Sequence, residues 1–289
     1  MVVQHLINAL LLGGIYGCIG VGFSLVYGVM NVINLAHGSF IMLGAYTTYW
    51  LFVHASLDPF LSIPVSMAIY FVVGYLVQKY VNNPSMKSGV LMTMILTYGI
   101  ALIALNFVLY VWKADYRAIT PSYSGAGLNV GDVIVPYTKL GILAVSVFLT
   151  LLLHLFMNRT KVGLAIQAVA LNKDAAKQVG IDIEHIQSVT FGISVCLAAA
   201  SGSMLGVVYS ITPNMWAPML GKAFVVAILG GLGNIYGAII GGLVLALIET
   251  IAVPLLGASW QNAVAFLVFI VILVLRPHGL VGRRFFAEM

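Results

Sequence analysis

Val29-Met30-Asn31-Val32-Ile33-Asn34-Leu35-Ala36-His37-Gly38-Ser39-Phe40-Ile41-Met42-Leu43-Gly44-Ala45 places polar residues between two long apolar runs. A uniform bilayer-spanning helix would carry leucines where this stretch carries Asn31, Asn34, His37, Gly38 and Ser39. Irregular backbone at membrane depth is tolerated only where it is buried in protein or lines water. The stretch therefore predicts a broken helix held inside a bundle, with the flanking runs as membrane scaffold.

Composition supports the scaffold reading. The 289 residues are 62% hydrophobic and 7% charged, and the mean hydropathy is +1.08, whereas soluble domains are about 25% charged. The fold class expected is all-α, a polytopic membrane protein. The formal charge of +5 comes from 13 Lys and Arg scattered at the ends of apolar runs, a pattern that fits positive-inside topology and excludes a nucleic-acid surface. Lys79 is the first basic residue, so the opening apolar run lacks the basic flank of a secretory signal and is expected to stay in the mature protein. Cys18 and Cys196 lie in apolar runs and read as small packing residues.

Candidate spans are Leu6–Met30, Gly38–Val53, Leu61–Val81, Gly89–Trp112, Leu140–Met157, Ile186–Ile211, a short run Ala223–Leu232, Ile235–Leu256 and Ala263–Leu275. About eight to nine crossings are expected, some of them broken or re-entrant. Arg159, Lys161, Lys173 and Lys177, together with Arg276, Arg283 and Arg284 at the carboxyl end, mark cytoplasmic segments. Walking outward from them puts Lys79 and Lys87 inside, residues 113–139 outside and, with nine crossings, the amino terminus outside.

The external stretch 113–139 holds Tyr116, Tyr123 and Tyr137 with Pro121 and Pro136. It reads as an interfacial cap that can meet a partner, or as a plain solvated loop anchored by aromatics. The internal stretch 159–185 reads as two short helices. Val162, Ala165, Ile166 and Val169 share one face, Asn172 can cap the second helix above Asp174, and Gly180 can end it. An apolar stripe with a basic rim (Arg159, Lys161) results, suited to docking a partner or to lying on anionic lipid.

Leu229 to Glu249 is the third unusual stretch. Gly233, Gly237 and Gly241 fall four apart, with Ala238, Gly242 and Ala246 on the adjoining ridge, so another helix can approach closely. Both this stretch and Val29–Ala45 carry a short apolar run, an Asn-containing break and a glycine-bearing helix, a loose echo of the paired broken segments from which transporters build their path. Glu249 is the one acidic residue expected inside a span, either paired there or reaching headgroup water from near an interface. His37 can bind, gate, or merely bond a neighbouring carbonyl. Asn31, Asn34, His37, Ser39 and Glu249 are the candidate pathway or gate residues. The six histidines lack metal-ligand spacing, so no metal is expected. Gly221-Lys222 lacks the glycine of a phosphate-cradling loop, so any ATP must be bound by another chain.

At Ile33-Asn34-Leu35-Ala36-His37-Gly38, followed by Met42-Leu43-Gly44-Ala45-Tyr46, the sequence resembles the permeases of branched-chain amino-acid ABC importers of the LivH type. Leu229-Gly230-Gly231-Leu232-Gly233-Asn234-Ile235-Tyr236-Gly237-Ala238 resembles that family's second signature, and Arg276-Pro277-His278-Gly279-Leu280 its carboxyl-terminal tail. The resemblance implies a single permease domain over residues 1–289. It also implies a bacterial inner-membrane location, a second related permease subunit, two ATPase subunits and a periplasmic binding protein. No cofactor is implied in this chain, with ATP and magnesium held by the ATPase. Residues 159–185 become the coupling segment and residues 113–139 the face that receives the binding protein, while Gln167 stands where relatives usually carry arginine. Cargo is open between hydrophobic amino acids and the urea or short amides carried by similar permeases. An ion-coupled secondary transporter or channel is the reading from another class.

Overall fold

The computed structural model describes residues 2–86, 88–130, 133–257, 260–275 and 279–281. Lys87, Arg276, Pro277, His278, Arg283 and Arg284 lie outside the described residues. The order is α1 (Val2–Met30), α2 (His37–Ala55), α3 (Pro59–Val77), a π-helical turn (Gln78–Asn82), α4 (Asn83–Met86), α5 (Val90–Trp112), β1 (Gly127–Val130), β2 (Val133–Pro136), α6 (Tyr137–Arg159), α7 (Lys161–Leu171), α8 (Lys173–Gln178), α9 (Ile183–Val208), α10 (Trp216–Gly230), α11 (Ile235–Leu256) and α12 (Gln261–Leu275).

Local chemistry sets most of these boundaries. Asp58 accepts the Phe60 N–H at 2.8 Å and Pro59 follows it at the first helical position, a start that spends a missing N–H where none is needed. Thr160, Asn172, Asp182 and Asn234 cap α7, α8, α9 and α11 by accepting N–H groups one turn on. Asn172 takes two of them, from Asp174 and Ala175, each at 3.0 Å.

Among the described residues six helices are long and apolar enough to cross a membrane: Leu6–Met30, Pro59–Met86, Val90–Trp112, Tyr137–Arg159, Ile183–Val208 and Ile235–Leu256. The expectation of about eight to nine crossings exceeds this. The three extra segments are helices, but α10 and α12 have 15 residues each, roughly 22 Å against a hydrocarbon core of about 30 Å. The third, α2, is diluted by His37, Ser39, Thr47, Thr48 and His54.

α1 and α9 form the interior of the bundle, with 83% and 78% of their most apolar windows buried, against 17% for α5. Small residues make this possible: Ala198 to Ser203 line α9, and Gly44 of α2 lies so close to Ala199 that a Cβ there would fall 2.5 Å from its Cα. In lipid such seams hold by packing, because the surrounding chains are as apolar as leucine. Leu61, Leu91, Ile103, Phe148 and Leu267 are exposed on the outer helices, as lipid contact requires.

Residues 113–139 are not a plain loop. They contain an antiparallel hairpin pairing Gly127 with Pro136 and Leu128 with Val135, and Tyr137 already begins α6. The segment is tied to the bundle end by paired backbone bonds between Arg117 and Ile211, at 3.0 and 2.7 Å, and by Tyr123, whose hydroxyl donates to Asp58 at 2.7 Å. Burial, then that bond, hold the Tyr123 phenol above the ordinary tyrosine range. The all-α expectation therefore needs this one hairpin added.

Candidate functional site

The two asparagines of the first break do different work. Asn31 takes φ +54 and its N–H bonds the Tyr27 carbonyl at 2.8 Å, ending α1 in the left-handed conformation that asparagine adopts more readily than most residues. Its side chain is exposed. Asn34 is buried and its Oδ1 accepts the Ala36 N–H at 3.0 Å, turning the chain into α2. His37, with no exposed surface, sets Nε2 3.2 Å from the Ile19 carbonyl of α1 and presents an edge to Phe23 at 5.5 Å. Ser39 points elsewhere, its hydroxyl donating to the Ala101 carbonyl of α5 at 3.4 Å. Leu35 N–H bonds Thr97 of the same helix at 3.2 Å. The break is thus wedged between α1 and α5. His37 Nδ1 and Asn34 Nδ2 are buried without a hydrogen-bond partner among the described residues.

The second break spans residues 231–234, between α10 and α11. Gly231 and Gly233 take φ +96 and +83, which side chains rarely tolerate. The second break meets the end of α1: a Cβ on Gly28, in the last turn of α1, would sit 3.2 Å from the Gly233 Cα. Around them α11 is gripped on two faces. A Cβ on Gly242 would fall 2.8 Å from the Gly17 Cα, and one on Gly241 3.0 Å from the Gly230 nitrogen. Gly233, Gly237, Gly241 and Gly242 therefore sit against α1 and α10. Leu280 N–H reaches back to the Leu229 carbonyl at 2.7 Å, and Gly279 packs on Gly231.

Glu249 is not a headgroup-seeking residue: it is fully buried. Its Oε2 accepts hydrogen bonds from Tyr16 Oη at 2.6 Å, Gln261 Nε2 at 2.6 Å and Lys222 Nζ at 3.0 Å, and Oε1 lies 2.9 Å from the same ammonium. Lys222 also donates to Tyr16 at 2.7 Å. The cluster joins α1, α10, α11 and α12, and Lys222 is buried in it too. The five candidate residues do not form one constellation. Asn34, His37 and Ser39 share the first break but face different neighbours, Asn31 faces out, and no hydrogen bond or ion pair links Glu249 to any of them among the described residues. Sequence reasoning missed Tyr16, Lys222 and Gln261. Lys222 carried a signal, since a cation inside an apolar run needs an intramembrane partner.

The stripe on the 159–185 segment is corrected in part. Ile166 and Val169 are buried in the chain's own core, against α6, α1 and α9, and Ala165 is half-buried. Gln167 Nε2 fixes α7 to the end of α6 by donating to the Met157 carbonyl at 2.6 Å. What the segment exposes is Arg159, Lys161, Val162, Leu164, Leu171, Lys177, Val179 and Gly180, the last at φ +87. The reason is geometric: α7 has apolar residues on both faces, and only the packing partner decides which face is hidden.

Residues 5–273 match the family described as branched-chain amino acid transport system, permease component. The high-affinity branched-chain amino acid transport system permease protein BraD of Pseudomonas aeruginosa is 30% identical, over 97% of this chain and 95% of BraD. LivH of Escherichia coli K12 is 29% identical over 97% of this chain and 95% of its own. The probable LivH of Methanocaldococcus jannaschii is 28% identical over 95% and 91%. No solved structure matches.

Proposed function

The chain belongs to the branched-chain amino acid transport system permease family, membrane subunits of ABC transporters, and from this we propose that it is the translocation subunit of an ATP-driven importer of hydrophobic amino acids. The observation that carries the reading is the meeting of two broken helices at Gly28 and Gly233. Irregular backbone inside a bundle is a place where a few dihedral changes can reorient a half-helix, and membrane transporters put their path at such junctions.

In this reading the chain pairs with a second related permease in a bacterial inner membrane, its carboxyl end cytoplasmic, and a periplasmic binding protein delivers substrate to the hairpin side. It needs no cofactor of its own. ATP and magnesium act in two partner ATPases, which dock on the exposed Val162, Leu164 and Leu171 with Arg159 and Lys161 at the rim. ATP binding favours one of two states by binding it more tightly. Asn34 and His37 sit at the moving junction.

The test is uptake of labelled leucine by proteoliposomes holding the permeases, ATPases and binding protein. Uptake should require ATP, and Asn34→Ala or His37→Ala should lower it at least tenfold with the complex intact. Normal uptake by both variants would remove them from the gate. Uptake by the chain alone under an ion gradient would replace the reading with a secondary transporter.

A further inference from the structure

α6 and α11 each pack against α1, and between them a slot of about 440 Å³ opens on the outside of the bundle. Its floor is the α1 backbone at Gly14 and Gly17, and its walls are Val147 and Leu151 of α6 and Ile239 and Leu243 of α11. Val147 and Leu151 are exposed, as is Phe148 beside them, so the slot is continuous with the lipid-facing surface. The two hydroxyls on its α6 wall are already spent inside the chain: Ser146 donates to Met204 Sδ at 3.4 Å and Thr150 to the Ser146 carbonyl at 2.8 Å. Water therefore finds no partners in the slot, and an unfilled slot forfeits dispersion contacts along both walls. Its occupant is a hydrocarbon.

Shape and charge say which hydrocarbon. Gly17 is buried beneath the walls and Gly14 only half-buried, so a partner helix about 10 Å across cannot lay its backbone on the glycines, whereas one acyl chain can lie between the walls. Along α6 the slot runs from Leu143 to His154, about 16 Å of rise, and one leaflet of a hydrocarbon core of about 30 Å is about 15 Å deep. Only the end toward α7 is polar. There the Tyr236 hydroxyl pairs with His154 Nδ1, and with that nitrogen accepting, Nε2 carries the proton and can donate to a phosphate oxygen. Arg159 closes α6 about 7.5 Å further on and Lys161 opens α7; both are exposed and have no acidic partner among the described residues. An anionic headgroup complements them. We propose that this slot binds an acyl chain of an anionic phospholipid from the leaflet on the α7 side, with the headgroup at His154, Tyr236 and Arg159. That leaflet is cytoplasmic in the orientation of the transport reading, on which this one part of the inference rests.

The experiment reconstitutes the purified full chain into phosphatidylcholine vesicles containing phosphatidylglycerol with a photoreactive diazirine on one acyl chain, and maps the adducts by mass spectrometry. Saturable labelling of the slot walls is expected, displaced at least fivefold more effectively by unlabelled phosphatidylglycerol than by phosphatidylcholine. Val147→Trp, at an exposed wall position where the ring fills the slot, should cut slot labelling at least fivefold and leave labelling of α5 at Leu91 and Ile103 unchanged. His154→Ala with Arg159→Gln should remove the headgroup preference while the slot is still labelled. Each variant is first shown to keep the parent's helical circular dichroism, so misfolding is seen separately. Slot labelling no stronger or more saturable than that of α5 would overturn the proposal, as would equal displacement by the two lipids. Labelling that disappears when the second permease binds would give the slot to a partner helix instead. Both leaflets carry the probe, so the outcome does not depend on orientation, and a labelled slot in a chain whose complex performs no ATP-driven uptake would leave the lipid site standing and remove the transport reading.

Discussion

The contact with the largest electrostatic stake is Lys222 with Glu249, since two buried charges repay their desolvation only while each holds the other. Removing Lys222 leaves the Glu249 carboxylate buried with only neutral donors, Tyr16 and Gln261. Lys222→Met should therefore destabilise the chain by about 3–5 kcal/mol, read as a lowered thermal unfolding midpoint of the purified protein. Lys222→Met with Glu249→Gln should recover most of that loss, because Gln keeps an acceptor for Tyr16 and carries no charge. A single variant as stable as the parent would mean that the pair contributes nothing. Asn31 is a smaller case of the same logic. Its φ of +54 costs an alanine about 1–2 kcal/mol, while its exposed amide adds no contact that glycine would lose. Of the Glu249 partners only Lys222 left a signal in the sequence, a cation inside an apolar run, while Tyr16 and the outward turn of Asn31 were not legible. Tyr16 lies 233 positions from Glu249, and no local pattern relates residues so far apart.

At the scale of elements, α7 shows what periodicity can and cannot supply. The spacing of Val162, Ala165, Ile166 and Val169 identified a helix and one coherent face, and the caps at Asn172 and Gly180 were readable from residue type. Which face meets the chain's own core depends on where α6 and α9 stand. The structure hides Ile166 and Val169 and exposes Leu164 and Leu171. Ile166→Glu should therefore prevent folding, lowering stability by more than about 3 kcal/mol through a buried unpaired charge. Leu164→Glu should leave the chain folded and release the ATPase, seen as loss of co-purification. The reverse pattern would restore the originally expected stripe as the docking face. The glycine rows of α11 were more legible, because a small residue every fourth position has one physical use in lipid, close helix approach.

For the whole molecule the matter is orientation and closure. α6 runs 23 residues from the hairpin to the α7–α8 segment, about 34 Å of helix, long enough to span a hydrocarbon core of about 30 Å, and the proposed function predicts that these two features lie on opposite sides of a bilayer. In cells expressing a chain with Cys18 and Cys196 changed to alanine, a membrane-impermeant maleimide should label Tyr116→Cys from outside. It should label Val179→Cys only after permeabilisation. The opposite result would invert the topology and put the polar end of the slot at His154 in the outer leaflet.

The sequence by itself determined the membrane class, the family, the positions of both breaks and most helix starts. Each of these follows from composition or from interactions spanning a few residues, such as a cap, a turn or a run of apolar side chains. Only the tertiary structure decided that the second break touches the end of α1 at Gly28 and Gly233, that Glu249 is held by Tyr16, Lys222 and Gln261, and which side of α7 is hidden. Those outcomes depend on how helices far apart in the chain pack, and in lipid that packing is set by close-range shape at small residues rather than by any hydrophobic pattern along one helix.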